Sequence, residues 1–92
     1  MQEPILIEKE SISTLSFSDS EKTKDAIKIL RHKLNRATVL GNIDHNKIKI
    51  LFKDEEGIKQ VETTVWATGQ DNIVLKSGTT IPISSIVDVK IL

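Results

Sequence analysis

Val61-Glu62-Thr63-Thr64-Val65-Trp66-Ala67 is the stretch on which the reading of this chain turns. Its β-branched residues suit a pleated, half-buried surface, so it is expected to be a strand. Strand alternation puts Val61, Thr63, Val65 and Ala67 on one side and Glu62, Thr64 and Trp66 on the other. Just upstream, Lys47-Ile48-Lys49-Ile50-Leu51-Phe52-Lys53 alternates in the same way, with Ile48, Ile50 and Phe52 directed inward. Asp54-Glu55-Glu56-Gly57 joins the two runs, and Gly57 supplies the positive φ that a hairpin loop requires. The two strands are expected to pair antiparallel. Leu51 and Trp66 then stand on the outer faces.

Downstream the chain meanders. Thr68-Gly69-Gln70-Asp71-Asn72 reads as a turn, Ile73-Val74-Leu75 as a short strand and Ser77-Gly78-Thr79 as a second turn. Pro82 cannot donate to a ladder, so Thr80-Ile81-Pro82-Ile83 belongs at a sheet edge or strand end, with Ser84-Ser85 as a break. Val87, Val89 and Ile91 alternate with Asp88 and Lys90 in a last strand, and are expected to be buried.

Upstream lies a helix. Ser18 and Glu21 have capping-box spacing, which places the start near Asp19. Ala26, Ile27, Leu30, Leu34 and Ala37 recur at helical steps and form the stripe expected to face the sheet. The helix is expected to run to about Arg36. For residues 37–43 two readings stand open: a continued helix capped by Gly41 in the left-handed conformation, or a short strand at Thr38-Val39-Leu40. Residues 1–17 read as an N-terminal arm with partial order, and residues 18–92 as one domain.

The chain has 92 residues, enough for one domain. Phe17, Phe52 and Trp66 are its only aromatics, so the core must be built mainly from Ile, Leu and Val. It has no cysteine, which excludes disulfides and thiolate chemistry and fits a cytoplasmic location. No apolar run approaches the roughly 20 residues of a membrane span, so a soluble protein is expected. Net charge is zero but uneven: Asp19 to Lys53 carries nine Lys and Arg against four Asp and Glu, or +5, which leaves −5 elsewhere.

A helix followed by short strands, with the last two joined through Ile81-Pro82-Ile83-Ser84-Ser85-Ile86, resembles the small SH3-like barrels, among them Sm-like proteins and the WYL domain. The resemblance covers roughly Ser18 to Leu92 and implies an N-terminal helix packed on a small, strongly bent antiparallel sheet, with a short 3₁₀ turn before the final strand. The motif residues of those families are not matched: Gly69-Gln70-Asp71-Asn72 is a loose echo of an Sm RNA-binding loop, and Trp66 is followed by Ala67 and Thr68 rather than by a WYL motif. Val61 to Ala67, flanked by Leu40-Gly41-Asn42 and Ile81-Pro82-Ile83, also looks like a group of short bacterial proteins without an assigned activity. No site residues carry over from either.

The expected fold class is therefore α+β. His32, His45 and Asp44 lack a metal-binding spacing, and Asp54-Glu55-Glu56 lacks the alternating oxygen ligands of a calcium loop. No glycine-rich loop, nucleophile elbow or paired base is present, so neither an enzyme nor a cofactor is expected. Two functions remain. The first is a protein-interaction or self-associating module with a contact surface around Leu51 and Trp66, the tryptophan being shielded by a second subunit or by the arm through Ile5, Ile7, Ile12 or Leu15. The alternative is a nucleic-acid-binding barrel using Lys24, Lys28 and Arg31 on the helix with Lys47, Lys49 and Lys53 on the strand.

Overall fold

The computed structural model describes residues 5–8, 11–12 and 15–91. In chain order these form β1 (Ile5–Leu6), α1 (Lys24–Asp44), β2 (Ile48–Asp54), β3 (Gly57–Thr63), β4 (Val65–Thr68), β5 (Asn72–Leu75), β6 (Thr80–Pro82), a 3₁₀ turn (Ile83–Ser85) and β7 (Ile86–Ile91). The fold is α+β: one helix with a four-stranded sheet ordered β1-β3-β2-β7 and a three-stranded sheet ordered β4-β5-β6.

The expected β2–β3 hairpin forms, with Asp54 opposite Gly57 and Gly57 at φ 133°. Val61 to Ala67, however, is two strands and not the single one expected. Thr63, Thr64 and Val65 are buried in succession, which a single flat strand cannot achieve because its side chains alternate between faces. The chain turns at Thr64 and leaves the first sheet for the second. The break is held in place: the Thr64 carbonyl accepts the Lys76 N–H at 2.9 Å, and its hydroxyl donates to the His45 carbonyl at 3.3 Å.

The SH3-like or Sm-like barrel is not formed. The strands make two open sheets rather than a closed one, and β1 runs parallel to β3, so the first sheet is not purely antiparallel. The 3₁₀ turn before the last strand is present.

The helix starts later than the Ser18–Glu21 spacing suggests. Ser18 and Ser20 have given their backbone N–H groups to the carbonyls of Lys53 and Ser84, and that ties this segment across the sheets rather than into a helical turn. Thr23 is the cap, its hydroxyl accepting the Ala26 N–H at 3.1 Å, with Asp25 at the favourable first turn. Thr23→Ala is accordingly expected to lower stability by about 1 kcal/mol, measurable by urea unfolding, whereas Ser18→Ala should leave the helix start unchanged. The helix also runs further than Arg36. It continues through the undecided residues 37–43 to Asp44 and closes on His45, which takes the left-handed conformation at φ 55°. Gly41 lies inside the helix and is not its cap.

Leu30, Leu34, Ala37 and Gly41 form the buried face of α1. The expected stripe holds from Leu30 onward, but Ala26 is exposed and Ile27 is 39% exposed, each lining an open surface cleft against the sheets rather than packing into the core. Ile48, Ile50, Phe52, Val61, Val65 and Val89 are in the core as expected, together with Ile12, Ile73, Leu75, Ile81, Ile83 and Ile86. Val87 and Ile91 are not, being 41% and 42% exposed. A bulge explains Val87: Leu51 pairs with Asp88 and Phe52 with Ile86, which leaves Val87 as the extra residue and gives its core-facing place to Ile86. Ile91 lies at the end of edge strand β7.

The described residues of the arm do not cover Trp66, which is 45% exposed. Ile5 and Leu6 pair instead with Lys59 and Gln60 of β3, Ile12 is wholly buried in the core, and Ile7, Leu15 and Phe17 pack against it.

Candidate interaction surface

Gly41 is where the helix and the second sheet meet most closely. A Cβ built on it would lie 2.5 Å from the Val65 carbonyl oxygen and 2.9 Å from the Thr64 methyl, so only glycine admits this approach. Polar contacts then run along the seam. The Thr38 and Thr68 hydroxyls are 2.6 Å apart, both reach the Leu34 carbonyl, and the Asn42 side-chain amide donates to the Trp66 carbonyl at 3.1 Å. Further along, the Arg31 guanidinium donates to the carbonyls of Gly69 and Gln70 in the β4–β5 turn.

Trp66 itself sits on a bulge. Val65 pairs with Leu75 and Ala67 with Val74, so Trp66 is the extra residue in β4 and its side chain is re-aimed away from the ladder. With Trp66 45%, Val39 55% and Ile43 69% exposed, the last turns of α1 and the bulge present large apolar side chains to solvent on adjoining elements. The Asn42 bond joins those elements.

Leu51 lies elsewhere. It is half-buried in β2 of the other sheet, between Gln60 of β3 and Asp88 of β7. The ladders thus give Leu51 polar cross-strand neighbours and do not place Trp66 beside it. Val39 and Ile43 escaped the sequence reading because two endings of the helix fitted residues 37–43 equally well. Once the helix is carried to Asp44, their four-residue spacing off the buried stripe marks a second, outward apolar face.

The six candidate nucleic-acid contacts fall into two groups. Lys24 and Lys28 are exposed on the first turns of α1, while Arg31 is engaged with the turn carbonyls. Lys47 precedes β2, Lys53 is exposed opposite Ile58, and Lys49 approaches Glu62 to 3.9 Å and stands opposite Lys90. Lys33 reaches Asp88 at 3.0 Å from the helix. Burial raises the Asp88 carboxyl, but the hydrogen bonds from Lys33 and the Val89 N–H, with the charges of Lys33 and Lys90, outweigh it and hold the group below its ordinary value.

A different pair went unread. Lys59 and Asp54 are both buried, with Lys59 Nζ 3.2 Å from Asp54 Oδ2 and 3.8 Å from Glu56 Oε2. Strand phase held the signal, since Lys59 shares the face of Val61 and Asp54 the face of Ile50 and Phe52. Among the described residues no three His, Asp or Glu side chains come together as a metal site would need, and no helix is long and apolar enough to cross a membrane.

No family model matches the chain, and neither curated proteins nor solved structures contain a significant match. The resemblances to Sm-like and WYL barrels and to a bacterial group therefore have no family support, and the surface must be read from its own residues.

Proposed function

We propose that this chain is a non-catalytic, self-associating interaction module whose contact surface is formed by Trp66 with Val39 and Ile43. The observation that carries the proposal is a tryptophan exposed at a β-bulge, on a strand joined through Gly41, Thr38 and Asn42 to a helix whose last turns expose Val39 and Ile43. Large apolar side chains on a rigid frame are what an interface core uses, and tryptophan is prominent among its strongest contributors.

A second copy is the favoured occupant because the chain carries no net charge: two copies meet without net repulsion, and Lys33 and Lys49 of the basic segment are already paired within the chain to Asp88 and Glu62. Pairing about a two-fold axis would bury the Trp66 surface of both copies at once. Nucleic-acid binding stands second, because Arg31 and Lys49 already have oxygen partners.

Sedimentation velocity over a dilution series tests this. The wild type is expected to shift from monomer toward dimer with concentration. Burying a tryptophan is worth roughly 1.5–3 kcal/mol, so Trp66→Gln should weaken association tenfold or more, with Ile43→Gln acting in the same direction. Leu51→Gln, in the other sheet, should leave the dimer intact. A wild type that stays monomeric at every attainable concentration would overturn the proposal.

A further inference from the structure

Where β3 breaks into β4, a cleft of about 410 Å³ opens between the N-terminal segment and the residues that come after α1 and β5. Thr63 lines it. That residue is 2% exposed, and its hydroxyl oxygen has no hydrogen-bond partner among the described residues. Buried hydroxyls are rarely left unpaired, and this one belongs to a residue that lines a cavity.

The cations around the cleft are also uncommitted. Lys22, Lys33, Lys49 and Lys59 each reach an oxygen of the protein, but the ammonium groups of Lys47 and Lys76, both lining the cleft, have no such partner among the described residues. Their anchorage is firm. Lys76 is tied through its N–H to the Thr64 carbonyl, and Lys47 is two residues from His45, whose carbonyl accepts the Thr64 hydroxyl and whose N–H closes α1 on the Gly41 carbonyl. Two carboxylates share the wall, Glu62 and Glu8; with Lys49 3.9 Å from Glu62 just outside the lining, three ammonium groups stand against the two carboxylates.

Leu6 and Ile7 supply an apolar side. The volume falls in the range of small-molecule sites and exceeds what a bare oxyanion fills. A phosphate dianion has enough acceptor oxygens to meet two ammonium groups and a hydroxyl together, which a single carboxylate does less completely.

We infer that this cleft binds a small organic phosphate, its phosphoryl oxygens held by Lys47, Lys76 and the Thr63 hydroxyl and its organic part resting on Leu6 and Ile7. The site is separate from the Trp66 surface and does not depend on self-association.

The test is an amide-resolved NMR titration of the full chain with phenyl phosphate, inorganic phosphate and phenol. Phenyl phosphate should shift the amides of His45, Thr63, Thr64 and Lys76 saturably, inorganic phosphate more weakly, and phenol not at all. Lys47→Gln and Lys76→Gln should each weaken phenyl phosphate about tenfold, as loss of a charge-assisted contact does. Thr63→Val separates a ligand role from a structural one: it should weaken phenyl phosphate several-fold while the melting temperature holds or rises, since the unpaired hydroxyl is gone. If the valine variant does not fold, Thr63→Ala carries the same readout. Absence of cleft shifts, phenol binding as tightly as phenyl phosphate, or undiminished affinity in the Lys47→Gln/Lys76→Gln double variant would each overturn the assignment.

Discussion

Asp54→Ala is expected to lower stability by about 3–5 kcal/mol, the cost of leaving one member of a buried ion pair without its partner. Lys59 is 6% exposed, and its ammonium lies 3.3 and 3.2 Å from the two Asp54 oxygens; with Asp54 removed, only Glu56 at 3.8 Å remains, on a side chain that is 73% exposed. Asp54 also accepts the Glu56 N–H at 2.9 Å and so shapes the hairpin loop, a contact the alanine loses as well. Lys59→Met should cost less, because Asp54 keeps that backbone donor. The Asp54→Ala/Lys59→Met double variant should recover much of the loss, since it removes the unpaired charge instead of creating one. Urea unfolding of the three variants measures the cycle. A near-neutral Asp54→Ala would mean that Lys59 reaches water, contrary to its burial.

The second large effect is expected at Gly41. In an open helix Gly→Ala gains about 1 kcal/mol from propensity. Here the added carbon would meet the Val65 carbonyl oxygen at 2.5 Å, and backbone cannot swing aside as a flexible side chain can. Either the helix lifts from β4 or β4 bends. Both outcomes strain the Thr38–Thr68 and Asn42–Trp66 contacts and loosen the packing of Leu34 and Ala37, which are 0% and 1% exposed. Overpacking of this kind costs about 1–3 kcal/mol, and the net loss should lie near the upper end despite the propensity gain. The bulge should also move, so Gly41→Ala is expected to alter Trp66 fluorescence in the folded protein. An alanine variant as stable as wild type, with an unchanged spectrum, would show that the seam is looser than described.

How much of this could be read from residues alone depended on whether the signal was local. The β2–β3 hairpin was legible because alternation at Ile48, Ile50 and Phe52 and the glycine at position 57 lie within one short stretch. The helix was legible at Leu30 and Leu34 for the same reason. Its ends were not. Ser18 and Ser20 lose their capping role to the carbonyls of Lys53 and Ser84, partners that no local pattern announces. Gly41 looks like a helix terminator in sequence, and only the approach of Val65 shows why glycine stands inside the helix. The break at Thr64 was hidden by a run of good strand formers, because a strand that changes sheets keeps its composition and loses only its alternation. Val87 was misplaced by one bulge.

For the candidate surface, Trp66 was legible as an outward residue from its phase against Val65. The exposed aliphatic residues of the adjoining helix were not, since Val39 and Ile43 belong to that helix only once it is carried to Asp44. Lys59 and Asp54 were readable in principle from the phase of their own strands. A lysine on a core-facing position needs an acidic partner, and Asp54 stands across the same hairpin.

Quenching of Trp66 fluorescence by acrylamide, recorded as the protein is diluted, tests the proposed self-association most directly, because Trp66 is the only tryptophan in the chain and its 45% exposure refers to one isolated copy. With a dimer built on this surface, quenching should be weak in concentrated solution and rise on dilution, tracking the loss of dimer mass, and Ile43→Gln should move that transition to higher protein concentration. Strong quenching that does not change with concentration, or a dimer in which Trp66 stays fully accessible, would contradict it.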